Sequence, residues 1–205
     1  RQSWNTTDLQ QPGTEVINLT EQAGSTVSFY AQWEENAAVT ITYTAGTGGT
    51  VRRTEESVAP VSGNPVGGDA SASTGYEFVN WTDQDNNTVS EIAHVQPAQI
   101  DGIYLPNVYT AHFRPVVYVI NYSHSGNDVT IGNNPSTYTV ETPDITLADA
   151  SRPGYEFTGW TLGGQGDPVK GLVIPKGTIN NLTVTAHFKL INYSITYNLN
   201  GGSLK

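Results

Sequence analysis

Three signatures recur along the chain at a spacing of 75–80 residues, and this repetition constrains the fold more than any other feature. They are an opening strand pattern (39–43, 118–122 and 193–197), a Gly-Tyr-Glu-Phe motif that leads to a tryptophan (75–81 and 154–160) and a closing strand pattern (31–33, 111–113 and 186–188). A period of this length suits a small domain and is too long for one turn of a solenoid. The chain is therefore predicted to be a tandem array of small modules.

The signatures divide the chain into four parts. Two full modules are predicted, the first module at 39–113 and the second module at 118–188. Residues 1–33 are interpreted as the C-terminal half of a repeat module, and residues 193–205 as the start of a further one. The joints between these parts are short, and Pro115 stiffens the joint between the full modules because its ring fixes φ.

The opening and closing signatures alternate apolar and polar residues with the period of a half-buried strand. Val39, Ile41 and Tyr43 share one face of the first opening strand, and threonines occupy the other. Only 14% of the residues are charged, which disfavours long exposed helices. The predicted fold class is mainly β: tandem small antiparallel-sheet modules with little helix, arranged as an elongated rod.

The tryptophan of each Gly-Tyr-Glu-Phe motif is out of phase with its strand. Tyr76 and Phe78 alternate on one face, but Trp81 follows one residue too late. A single bulged residue between Phe78 and Trp81 would bring the indole onto the core side. The residue before the tryptophan is Asn80 in one module and Gly159 in the other, and both types tolerate the left-handed conformation. The predicted core of the second module consists of Ile120, Tyr122, Tyr155, Phe157, Trp160, Val184, Ala186 and Phe188.

A set of motifs in 118–205 resembles a known family. The set contains RPGYEFTGW at 152–160, PKG at 175–177 and LTVTAHF at 182–188, after an Ile-x-Tyr opening strand and a Gly-containing turn. With these motifs the chain resembles the Listeria–Bacteroides repeat, also called the internalin-type B repeat. The first module is similar to a longer relative that departs from the pattern at 52–70 and at 96–107, where the Pro-Lys-Gly stretch is missing.

This resemblance implies a β-grasp-like module and an extracellular location. It implies tandem arrays on the surface of bacteria, mostly Gram-positive, in proteins often attached to the cell wall through other regions. It further implies stalks of adhesins, in which neighbouring repeat modules are the partners and some arrays contact host molecules. The resemblance supplies no catalytic residues and no cofactor.

Charge and composition exclude several classes of function. The 19 acidic and 9 basic residues give a net charge of −10, which repels phosphate backbones, so nucleic acid is not expected as a partner. The apolar runs are too short for membrane insertion of this fragment. The absence of cysteine removes thiolate catalysis, and no nucleophile elbow or phosphate loop is present, so the chain is not expected to be an enzyme.

One acidic stretch has features of a calcium loop. Asp83, Asp85 and Asn87 are spaced as alternating oxygen ligands. The EF-hand pattern then requires Gly at its sixth position and Glu at its twelfth, and these positions hold Thr88 and His94. The three residues therefore remain a weak candidate for a metal site, and a polar hairpin turn is the alternative.

Two histidines occupy equivalent positions in the closing strands. Alternation places His112 and His187 on the face opposite the core, in solvent or at a contact between modules. Because they lie in separate modules, they are not predicted to share a metal ion.

The function expected from the sequence is that of a stalk, a repeat region that spaces a distal domain from the cell wall. The alternative is a carbohydrate- or host-protein-binding module. Asn87, Tyr104 and Asn107 lie in the divergent part of the first module, where a binding surface for a host surface protein or glycan would have been added.

Overall fold

The computed structural model describes residues 22–26, 34–198 and 200–202, and the chain divides into two units, Arg1–Glu35 and Asn36–Lys205. In the first unit the described residues 22–26 form a turn in which the Ser25 N–H donates to the Gln22 carbonyl at 3.3 Å. The rest of the partial module predicted at 1–33, with its strand and tryptophans, lies outside the described residues.

The described part of the second unit folds into strands and contains no helix. The first module contains β1 (Val39–Ala45), β2 (Gly49–Val51), β3 (Glu55–Val58), β4 (Gly68–Ala72), β5 (Tyr76–Thr82), β6 (Thr88–Ser90), β7 (His94–Val95) and β8 (Asn107–Pro115). The second module contains β9 (Tyr118–Ser123), β10 (Thr137–Tyr138), β11 (Ile145–Thr146), β12 (Tyr155–Leu162), β13 (Val173–Ile174) and β14 (Leu182–Leu190). The prediction of a mainly β fold built from small sheets is confirmed.

Each module has one main sheet, and the first four strands of the first sheet have the same order as the four strands of the second. The order is β3-β1-β8-β5-β6 in the first module and β10-β9-β14-β12 in the second. In both sheets the opening strand lies beside the closing strand and parallel to it, and the other neighbours are antiparallel. The antiparallel prediction is therefore wrong for this central pair. The two strands are separated by a whole module, which is long enough for the crossover that parallel pairing needs.

A small second sheet covers the inner face of each main sheet. It has the order β2-β4-β7 in the first module and consists of β11 and β13 in the second. Ala70 and Val95 of the first small sheet, and Ile174 of the second, belong to the buried clusters of their modules. The core of each module thus lies between its main sheet and its small sheet.

The tryptophans lie at the centre of both cores. Trp81 and Trp160 are fully buried, and each contacts the tyrosine of its opening strand edge to face, with ring centroids 6.2 Å from Tyr43 and 5.6 Å from Tyr122, respectively. Both indole N–H groups donate to a backbone carbonyl twelve residues away in sequence, at 3.2 and 3.0 Å. The buried polar atom of each tryptophan is therefore satisfied.

The predicted bulge is present in both modules. Pairing with the closing strand skips Val79 in β5 and Thr158 in β12, and this extra residue turns the indole inward. The left-handed prediction holds only in part, because Gly159 has a positive φ of 143° and Asn80 does not. At Gly159 the backbone around Val169 crosses so closely that a Cβ would lie 2.5 Å from the Val169 nitrogen.

Two predictions about individual segments are wrong. Tyr155 does not belong to the core cluster of the second module, because it stands at the first position of β12, where the Arg152 guanidinium covers its ring at 3.8 Å. Residues 193–197 carry the opening pattern but form no strand, and Tyr193 and Ile195 are 79% and 75% exposed. In the full modules this strand is held by a closing strand of its own module, and no such strand lies beside 193–197 among the described residues.

Replacing Gly159 tests whether the backbone around Val169 is fixed next to the bulge. Gly159→Ala combines a positive φ with a backbone clash, whereas the control Gly166→Ala has a φ of 82° and open space around its Cβ. We expect the control to lose about 1–2 kcal/mol in the free energy of unfolding from strain alone. Gly159→Ala should lose roughly 2 kcal/mol more because of overpacking. Urea unfolding measures both losses, and equal losses would show that the Val169 segment moves aside.

Candidate functional site at the junction between the modules

The turn before β5 and the turn before β12 each hold the chain that leaves their module. After β8, the Val116 N–H donates to the Gly75 carbonyl at 2.9 Å. After β14, the Ile191 N–H donates to the Gly154 carbonyl at 3.1 Å. Both glycines have a positive φ, 81° and 77°, which the turn requires. The Gly-Tyr-Glu-Phe motif therefore fixes the path of each linker as well as the start of a strand.

The second module packs directly on the first of these turns. A Cβ built on Gly75 would lie 2.0 Å from a methyl carbon of Val140, so only glycine leaves room for this contact. Beside it, the Tyr76 hydroxyl donates to the Glu141 carboxylate at 2.8 Å. This hydrogen bond is the main cause that raises the pKa of Tyr76. The four residues form the contact between modules, which we call the junction.

The residues that the second module contributes to the junction lie on a tight turn. The Thr142 N–H donates to the Thr139 carbonyl at 3.1 Å, and the Thr139 N–H donates to the Thr142 hydroxyl at 2.9 Å. Val140 and Glu141 are thus presented by a backbone that is fixed locally. Neither residue belongs to a repeated signature, because this turn lies between the signatures. The Gly75 side of the junction does carry a sequence signal, the repeated Gly-Tyr pair.

The equivalent turn in the second module is uncovered. A Cβ on Gly154 would have no atom within 4 Å, in contrast to Gly75. Tyr155 makes a cation–π contact with Arg152, but no carboxylate among the described residues accepts a hydrogen bond from its hydroxyl. The same motif therefore appears once with a neighbour packed on it and once without.

The weak metal candidate forms a turn whose main carboxylate is already bound by donors. Asp83 accepts hydrogen bonds from the N–H groups of Asp85 and Asn87 at 2.9 and 2.8 Å, and from the Asn87 side-chain amide at 3.1 Å. The bond from the Asn87 side chain is the largest of the effects that lower the pKa of Asp83. Among the described residues no group of three or more His, Asp or Glu side chains is arranged to hold a metal ion. A cation would have to displace these donors.

The two equivalent histidines each bind a threonine of the neighbouring strand. His112 lies 3.0 Å from the hydroxyl of Thr82, and His187 lies 2.8 Å from that of Thr161. Both threonines are buried, and both histidines are half-buried on the outer face of their sheets. The repeated pair stabilises the strand that carries the tryptophan, and it does not bring the histidines together.

The three residues suggested for glycan or host-protein binding serve different roles. Tyr104 packs against the core of the first module, and its N–H donates to the Pro60 carbonyl at 2.7 Å. Asn107 accepts a hydrogen bond at 3.3 Å from the N–H of Gln84, in the turn that also contains Asn87. The structure thus brings the two asparagines to one turn and places Tyr104 elsewhere.

A half-buried carboxylate ties the divergent segment 52–70 to the main sheet. Glu56 accepts hydrogen bonds from the Tyr43 hydroxyl and from the N–H groups of Val66 and Gly67, the last two at 2.8 and 3.0 Å. Burial by itself would raise the pKa of Glu56, but these three bonds and the nearby Arg53 together lower it below its ordinary value of 4.5. Burial and the same contact raise the pKa of Tyr43.

The Glu56 contacts predict a loss of stability in acid. Because the pKa of Glu56 is lowered on folding, its contribution is fully present above pH 4.5 and is lost as the pH falls through the lower value of the folded state. We expect Glu56→Gln to lose on the order of 1–2 kcal/mol near pH 6 and to approach the parent chain near pH 3. Unfolding titrations across this range measure the difference. The control Glu55→Gln removes a neighbouring carboxylate that accepts none of these bonds. If its difference in stability from the parent chain also shrank between pH 6 and pH 3, the assignment of the acid effect to Glu56 would be contradicted.

The glycines of the two turns form a matched pair that tests the junction. Gly75→Ala and Gly154→Ala introduce the same strain at nearly the same φ, but only the first meets Val140. We expect residual dipolar couplings of the two modules to fit different alignment tensors in Gly75→Ala, because the modules no longer pack together. In Gly154→Ala the couplings should stay as in the parent chain. Unchanged couplings in both variants would show that Val140 adjusts and the junction tolerates a methyl group.

A comparison with protein families identifies the repeats. A family model described as the divergent InlB B-repeat domain matches residues 39–116 and 118–192 in two tandem copies, which begin at the two opening strands. The resemblance to the Listeria–Bacteroides repeat is thereby confirmed. No curated protein and no solved structure gives a significant match. No described helix is long and apolar enough to span a membrane. The two matches cover more than half of the chain, which therefore belongs to the family of divergent InlB B-repeat domains.

Proposed function

We propose that the chain is a non-catalytic stalk of a bacterial surface protein, which transmits load and spaces a distal, adhesin-like domain from the cell wall. Repeats of this family are typical of bacterial surface proteins, which suggests an extracellular location. Attachment to a Gram-positive cell wall, through regions beyond these repeats, is part of the proposal. Neighbouring repeats are the proposed partners, and the uncovered turn at Gly154 and Tyr155 is the place where a further repeat docks.

The parallel pairing of opening and closing strands is the observation that carries this proposal. Load on a stalk enters the first module at β1 and leaves it at β8, and these strands are paired over five residues from Ile41 to Ala45. Because the strands are parallel, the N-terminal end of β1 and the C-terminal end of β8 lie at opposite ends of the pair. A force that pulls these two ends apart acts along the strands and loads all the hydrogen bonds between them together. The second module repeats the arrangement between β9 and β14. Such a module resists extension in the direction in which a stalk is pulled.

The direction of pulling provides the test of the stalk. The chain has no cysteine, so pairs of introduced cysteines define where force is applied. Ala38→Cys with Val117→Cys pulls β1 against β8 along the strands. Glu77→Cys with Arg114→Cys pulls at one end of the antiparallel pair β5–β8, where these residues are direct partners, so its hydrogen bonds break one after another.

We expect the first cysteine pair to unfold at a several-fold higher force than the second in an optical trap. Each unfolding event in the first geometry should release about 250 Å of chain, the extended length of one module. Equilibrium unfolding of both variants, measured without load, checks that they are equally stable at rest. Equal unfolding forces in the two directions would overturn the load-bearing role.

A second function is favoured by the divergent segments of the first module. Segments 52–70 and 96–107 are joined by side-chain hydrogen bonds. The amides of Gln96 and Gln99 donate to the carbonyls of Pro65 and Val61 at 2.8 and 3.1 Å, respectively. They also expose apolar side chains, and Ile100 is 58% exposed. A stable surface that the second module does not share supports the alternative proposal of a carbohydrate- or host-protein-binding module.

A further inference from the structure

A cleft of about 400 Å³ opens beside the divergent segment 52–70 of the first module. Its walls include Arg52, Arg53, Glu55 and Asp69, and Val66 contributes an apolar side chain that is 60% exposed. A volume of this size is in the range of sites that hold small molecules. The cleft lies in segment 52–70, one of the two segments in which the first module departs from the family pattern.

The two arginines of the cleft form no ion pair with any residue that the structure describes. The four ion pairs among the described residues involve His94, Arg114, Arg152 and Lys189, and neither Arg52 nor Arg53 takes part. This is unusual in a chain with 19 acidic and 9 basic residues. Two arginines that line a cleft and form no ion pair with a described carboxylate are available to an anionic ligand.

The nearby acids are mostly engaged with other partners. Glu56 accepts hydrogen bonds from Tyr43, Val66 and Gly67, and the Asp69 carboxylate lies 2.8 Å from the His94 ring nitrogen. Arg53 acts on Glu56 through its charge only, without a hydrogen bond among the described contacts. Glu55 remains as the exposed carboxylate on the wall, where it is able to accept hydrogen bonds from ligand hydroxyls.

We propose that this cleft binds a small carboxylated sugar, with Arg52 and Arg53 holding its carboxylate. A guanidinium fork matches a carboxylate in geometry, which a lysine does not. Thr54 and Glu55 line the same cleft with groups that are able to pair with sugar hydroxyls, and Val66 offers an apolar surface for the ring. The proposal goes beyond the stalk and gives the alternative binding role a ligand class. It fails independently of the stalk, because the cleft takes no part in the β1–β8 ladder.

The test is a titration of the full chain followed by two-dimensional ¹⁵N–¹H NMR. D-glucuronate is the probe, and D-glucose, which has the same ring without a carboxylate, is its neutral counterpart at matched ionic strength. We expect saturable shifts at 52–54 and 66–69 with glucuronate, no saturable shifts with glucose, and no shifts in the second module. The double variant Arg52→Ala with Arg53→Ala should bind at least roughly tenfold more weakly, a loss of about 1.4 kcal/mol.

Two controls keep the outcome decisive. Arg114→Ala removes an exposed arginine that pairs with Glu77 at 2.6 Å outside the cleft, and it should bind as the parent chain does. The spectra themselves report whether each variant is folded. Saturable binding of glucose, equal weakening by Arg114→Ala, or tighter binding of an acidic peptide such as triglutamate at the same residues would overturn the proposal.

Discussion

The parallel pairing of the opening and closing strands is the constraint on which each module depends. It joins the first and last segments of about 75 residues into one ladder, so the rest of the module must fold as an excursion from that ladder. The closing strands contribute Ala111 and Ala186, both buried. These small side chains leave room at the sheet centre for the indoles of Trp81 and Trp160. The core, the small covering sheet and the linker that leaves the module are all positioned by this pairing.

Features that depend on local alternation could be predicted from the sequence, and features that depend on pairing direction could not. The bulge before each tryptophan followed from a one-residue phase error, because side chains alternate strictly along a strand. The parallel orientation of β1 and β8 left no trace in the sequence, since alternation is the same in both directions. Tyr155 shows a further limit. It alternates as a core residue does, but its place at the end of a strand leaves it against Arg152.

The candidate sites show the same division between local and distant information. The oxygen-rich stretch that starts at Asp83 had two interpretations from sequence, and its hydrogen bonds are those of a turn, although a metal site there remains a prediction. The junction joins residues 65 positions apart, Tyr76 and Glu141, and only one side of it lies in a repeated signature. A glycine in a repeated motif predicts a turn. That Gly75 also leaves space for Val140 is a property of the neighbouring module, which the motif does not encode.

The paired ends of each module make the proposed stalk and the proposed binding role compatible. In the proposed stalk, load follows the hydrogen-bonded pair of opening and closing strands. Segments 52–70 and 96–107 lie outside this pair. Insertions and charges in those segments change the surface without changing the pairing of opening and closing strands, because long surface loops cost little additional closure entropy. The first module uses this freedom in the Glu56 contacts and in the cleft with Arg52 and Arg53. The second module has the same number of residues between its opening strand and its Gly-Tyr pair, and it is four residues shorter between Trp160 and Ala186 than the first module is between Trp81 and Ala111. Under the two proposals, one repeat of a tandem array is able to carry a binding surface while the opening and closing strands of every repeat remain paired.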